Sequence, residues 1–137
     1  MIDLHMHTTA SDGELDPAEL VGLVYAAGIR TFSVTDHDTM AGVVEAAQAA
    51  AEYGMTFLPG IEITAVENRC DVHMLGYFLE PNPPGLGDFL ESQRADRLRR
   101  AREISDRLSS LGIPVDVEDT IAVAEESGKS IGRPMLA

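Results

Sequence analysis

Residues 29–38 read IRTFSVTDHD, and the fold turns on how this stretch is read. "IRTFSVT" is rich in β-branched and aromatic residues and predicts a strand. "TDHD", Thr35 to Asp38, falls where that strand ends, and Asp36 and Asp38 suit caps or turns. Before it, "DPAELVGLVYAAG" predicts a helix. Asp16 is a good N-cap, Pro17 fits the first turn and Glu19 completes a capping box. Leu20, Leu23, Val24 and Ala27 form its apolar stripe, and Gly28 ends it. After it, "DTMAGVVEAAQAAAEYG" predicts a second helix, capped by Asp38 or Thr39 and stopped at Gly54.

One step further out lie two more strands. "IDLHMH" predicts the first, and "MTFLPGIEIT" the third, broken by Pro59 and Gly60. Strand–helix–strand–helix–strand gives parallel strands with right-handed crossovers, an α/β arrangement. Active sites in such folds gather at the carboxyl ends of the strands. "DVHMLGYFL", Asp71 to Leu79, is a fourth strand that returns from the third like a hairpin. "PNPPG", residues 81–85, is a composition break and divides the chain into residues 1–82 and 83–137.

The second segment opens with a long helix, about residues 87–111, striped by Leu98, Ala101, Ile104, Leu108 and Leu111. It holds six of the ten basic residues: Arg94, Arg97, Arg99, Arg100, Arg102 and Arg107. Five interleaved acids leave it at +1 while the rest of the chain sums to −14. A solvated, salt-bridged face is the first reading, and a grip on a polyanion the second. Another helix covers about residues 116–127.

The formal charge of −13 argues against a broad electrostatic hold on a nucleic-acid duplex. It leaves open a phosphate held through metal ions, which reverse the local sign. No stretch is long and apolar enough for a membrane span. The amino terminus lacks the pattern of a secretory signal. A single cysteine, Cys70, makes no internal disulfide, and a reducing cytoplasm fits best.

The polar residues point to metal. Alternation puts Asp3, His5 and His7 on one strand face, where two imidazoles can reach one ion and Asp3 can orient one of them, a structural or partly exposed pair being the alternative. Asp12 sits in "SDG", which is good turn chemistry, and on its own reads as a turn residue. His37 stands at a strand end. Glu62 lies between Ile61 and Ile63, where a carboxylate is costly unless it meets solvent or a cation. His73 lies between Val72 and Met74, and a satisfied core histidine is its alternative. All four histidines fall within the first 73 residues, each on a strand or at its end. Imidazoles and carboxylates without thiolates suit zinc, manganese or iron, and a hydrolytic rather than a structural site.

"DLHMHTTASDG", "VTDHDTMAG", "PGIEIT" and "VHMLGYF" also resemble, in order over residues 2–79, the motifs of the polymerase and histidinol phosphatase (PHP) family. The likeness is greatest to the branch that dephosphorylates AMP and nucleoside 3′,5′-bisphosphates, some of whose members trim RNA 5′ ends. The resemblance implies the amino-terminal part of a distorted seven-stranded β/α barrel plus a helical insertion over its site. It implies up to three ions, with His5 and His7 on one and Asp12 and His37 on a second. Glu62 would bridge two ions, and His73 would hold the third. A metal-bound hydroxide would then hydrolyse the phosphate monoester of a small nucleotide.

"IGRPMLA" resembles that branch's Gly-Arg-Pro-His segment, which makes Arg133 a phosphate contact or, equally, a surface arginine. Met135 stands where the branch has His. The family draws further ligands from a carboxyl half, and a closed barrel needs about 200 residues or more. The 137 residues therefore read as an amino-terminal portion. A non-catalytic metal-binding fragment and a histidinol phosphatase are the alternatives. An open barrel edge implies self-association.

Overall fold

The computed structural model describes residues 1–68, 70–80, 84–127 and 129–132. The elements are β1 (Ile2–Asp3), α1 (Pro17–Ala26), β2 (Thr31–Val34), α2 (Val43–Glu52), β3 (Thr56–Glu67), β4 (Cys70–Tyr77), α3 (Leu86–Ser110) and α4 (Glu118–Ser127). The strands form one sheet in the order β1-β2-β3-β4. β1, β2 and the start of β3 are parallel, and β3 and β4 form the expected antiparallel hairpin. The composition break at Pro81–Pro83, Arg133 and Met135 lie outside the described residues.

Asp16 caps α1 by accepting the Glu19 N–H at 2.8 Å, and Pro17 begins the helix. The stripe is rotated from the expected one. Pro17, Val21 and Val24 are buried, whereas Leu23 is 59% exposed. Val21 and Val24 pack with Phe32 and Val34 of β2 and Ala46, Ala49 and Ala50 of α2. Alternation along β2 turns Ser33 to its other face, and Ser33 is also fully buried.

Three expectations change. The ladder at β1 stops at Asp3 rather than His7, although Met6 still accepts the Thr35 N–H at 2.8 Å. α2 begins at Val43 after Gly42, so neither Asp38 nor Thr39 caps it. β3 runs unbroken through Pro59 and Gly60 because it changes partner there. Residues 56–59 pair with β2 and residues 60–67 with β4. Pro59, without an N–H to donate, stands at the changeover.

A smaller core lies apart, where Ala101 of α3 meets Val117, Ile121, Ala124 and Ile131. Along its 25 residues α3 buries only Leu90 and Ala101. Among the described residues, no helix is long and apolar enough to cross a membrane.

Candidate metal centre

The backbone brings distant residues together at one end of the sheet. Past β2 the chain keeps pairing with β3: Glu62 N–H donates to Asp36 O at 3.1 Å and Asp38 N–H to Glu62 O at 2.9 Å. This parallel bridge sets His37 beside Glu62. Asp36 organises the loop after β1. Its carboxylate accepts the Thr8 N–H (2.7 Å), the Thr8 hydroxyl (2.7 Å) and the Ser11 hydroxyl (2.6 Å). The loop then folds back so tightly that a side chain at Gly13 would stand 2.4 Å from His7 O. That fold-back returns Asp12 to His7.

All six predicted ligand residues converge. His5 Nε2 and His7 Nε2 lie 2.8 and 2.9 Å from Glu62 Oε2, and 3.2 Å from each other. The other oxygen, Oε1, contacts His73 Nδ1. Asp12 Oδ1 lies 2.8 Å from His7 Nδ1, and Asp12 Oδ2 lies 3.8 Å from His37 Nε2. The ligand atoms fall into three overlapping groups: His5–His7–Glu62, His7–Asp12–His37 and His37–Glu62–His73. Asp3 differs from expectation: its carboxylate accepts the His5 backbone N–H at 3.2 Å rather than orienting an imidazole.

The donor set fits divalent ions. Atoms about 2.1 Å from one ion stand about 3.0 Å apart at neighbouring octahedral positions and about 3.4 Å apart in a tetrahedron. The 2.8–3.2 Å triangle of His5, His7 and Glu62 matches such edges. His37 is 7% exposed, and its Nδ1 has no hydrogen-bond partner among the described residues. A buried, unpaired imidazole nitrogen is costly unless something accepts its lone pair.

Charge tunes the groups further. The hydrogen bond to Asp12 raises the His7 pKa and, in return, lowers that of Asp12, in each case against burial. Burial, followed by the charge of Arg97, lowers the His37 pKa. Burial acts to raise the Glu62 pKa. Hydrogen bonds from His5 and His73, with charge at His37 and His7, outweigh it and hold Glu62 ionised.

Sequence reasoning missed the residues that brace the centre. Asp38 has a left-handed backbone (φ 51°) and is fully buried. Its carboxylate accepts the Thr64 N–H at 3.0 Å and Arg97 Nε at 2.5 Å, and its carbonyl accepts from Arg94 at 3.1 Å. Arg97 also donates to Thr64 Oγ1 (2.6 Å) and Ile131 O (3.0 Å). Only one side of α3 is the solvated face expected, as with Arg99 between Asp96 and Glu103. The other side covers a cavity of about 160 Å³ lined by Asp12, His37, His73, Arg97 and Arg100, among others. Spacing held the signal, since Leu90, Arg94, Arg97, Ala101 and Ile104 fall on one helical stripe.

Comparison with known proteins identifies the family and the fold. Residues 3–113 match the family described as the PHP domain. A 5′-3′ exoribonuclease of Haemophilus influenzae is 42% identical over 123 residues, covering 90% of this chain and 45% of the relative. A 3′,5′-nucleoside bisphosphate phosphatase of Chromobacterium violaceum is 41% identical over 112 residues, covering 82% and 39%. A solved structure from Bifidobacterium adolescentis, assigned to the metal-dependent phosphoesterases, superposes with a TM-score of 0.86 at 38% identity. It covers 98% of this chain and 47% of that one. The chain spans less than half the length of each of these relatives.

Proposed function

This chain belongs to the PHP domain family, and we propose that it carries the ligand strands of a metal-dependent phosphoesterase acting on the phosphate monoesters of nucleotides. The substrates would be AMP, a nucleoside 3′,5′-bisphosphate or the 5′ end of a short RNA. The observation that carries the reading is the Glu62 carboxylate, which is buried and has imidazoles on both oxygens. His5 and His7 would hold one ion, Asp12 and His37 a second, and His73 a third, with Glu62 shared. Manganese and zinc suit this oxygen-and-nitrogen set, as does iron. Such ions polarise a phosphoryl oxygen and acidify a bound water.

The chain's own residues do the positioning. Asp12 orients the His7 ring through Nδ1, leaving Nε2 toward Glu62. The bridge between His37 and Glu62 sets those two positions side by side through the backbone. Residues 1–82 supply the ligands, and the helices of residues 83–137 lie over one side of them, leaving His5 and His73 open to solvent. Arg133 remains a candidate phosphate contact. We also propose a cytoplasmic setting, and self-association through β4 at the sheet edge.

The test is metal content together with turnover. The protein, Glu62→Gln and a His5→Ala/His7→Ala double variant are loaded with Mn²⁺, dialysed and analysed for metal. The variants are expected to retain far less, and equal content would overturn the reading. Phosphate release from AMP, adenosine 3′,5′-bisphosphate and histidinol phosphate is followed with and without EDTA, on this chain and on any longer product of its gene. EDTA-sensitive release from the nucleotides is expected of the longer product. Bound metal without turnover in either protein points to the non-catalytic alternative.

A further inference from the structure

Arg97 and Arg100 both line the cavity over the histidines, but they are held differently. All three nitrogens of Arg97 are committed, to Asp38, Thr64 and Ile131, and Asp38 is wholly buried. Arg100 presents its fork to Asp71, with Nη1 to Oδ1 at 3.0 Å and Nη2 to Oδ2 at 2.8 Å. Here the side chains are 41% and 19% exposed, so water and solutes reach the pair. Asp71 and His73 alternate on β4 and share a face. The carboxylate on Arg100 therefore sits beside a predicted metal ligand, inside the cavity a substrate would enter.

A guanidinium fork accepts two oxygens of a phosphate as well as two of a carboxylate. Solvent reaches the pair, so an anion can compete for the fork, and a phosphate monoester carries roughly twice the charge of a carboxylate. We propose that Arg100 is a phosphate-binding residue held in reserve by Asp71. A phosphoryl anion entering the cavity replaces the Asp71 carboxylate on the fork. The identity of the ligand rests on the phosphoesterase reading above.

The test is a double-mutant cycle read by calorimetric titration of inorganic phosphate and of AMP. The proteins are the wild type, Arg100→Gln, Asp71→Asn and the double variant, each with Mn²⁺ and again in EDTA. Arg100→Gln should weaken anion binding about tenfold. Asp71→Asn should strengthen it several-fold, and only while Arg100 is present. Arg100→Lys, which keeps the charge without the fork, should recover part of the loss. Unchanged affinity in Arg100→Gln overturns the proposal, as does absence of anion binding in the wild type. Equal strengthening by Asp71→Asn in both backgrounds also overturns it, since removal of charge would then suffice. A parallel Mn²⁺ titration separates the two readings. Absent metal binding would sink the metal centre, while the cycle in EDTA still decides Arg100.

Discussion

Asp36 is 2% exposed and accepts three hydrogen bonds from the loop after β1. Those donors have no water to turn to, so removing the carboxylate strands an N–H and two hydroxyls. Asp36→Ala is expected to cost about 2–4 kcal/mol by urea denaturation. It should also weaken Mn²⁺ binding, because Asp12 rides on the freed loop. An unchanged denaturation midpoint would contradict this account. The residue scale also shows what the sequence could and could not convey. The convergence of His5, His7, His37 and Glu62 was legible because β1, β2 and the start of β3 run parallel. His73 arrives instead on the antiparallel β4, and Asp12, in a turn, was reached only through the family resemblance. Asp36 and Asp38 were not legible, because a carboxylate after a strand looks the same whether it caps a helix or braces a loop. Only the left-handed backbone at Asp38 and the arrival of Arg97 from 59 positions away separate the two.

Among the elements, β3 depends on a close approach to β2. A methyl at Gly60 would stand 2.3 Å from Ser33 Oγ and 2.8 Å from Thr35 Cγ2, both on fully buried residues. Gly60→Ala is expected to cost about 1–3 kcal/mol by overpacking and to shift Glu62, two residues along. Thermal melting, with Mn²⁺ titration beside it, checks both effects. Helix and strand identities were legible from caps and periodicity, as at Asp16 and Pro17. Phase was not: Leu23 is apolar but faces outward because α1 packs through Val21 and Val24. On α3, interleaved charges read alike whether or not one side docks. The arginines at apolar-stripe positions become intelligible only once Asp38 and Asp71 lie opposite them.

At the scale of the whole molecule, β4 ends the sheet with Val72, Met74 and Leu75 exposed, and Phe78 follows at 76%. Unpaired edges with apolar side chains template pairing with another chain. A net charge of −13 opposes that pairing, and salt screens the opposition. Light-scattering chromatography should therefore show oligomers that grow with ionic strength and recede in Met74→Lys. A lone monomer in both low and high salt would rule this out.

The second small core, tied to the loop after β2 and to β3 and β4 through Arg94, Arg97 and Arg100, has a consequence in time. A unit tied on largely by polar bonds can detach while the larger core stays folded. Amide hydrogens of α3 and α4 should then exchange with deuterium together, well before those of β2, α1 and α2. Added salt should hasten α3 by loosening its accessible ion pairs. The helices over the histidines would thus breathe as one body, and each opening would let ions and anions in and out. Equal protection across both cores would show instead that the molecule opens only by unfolding whole.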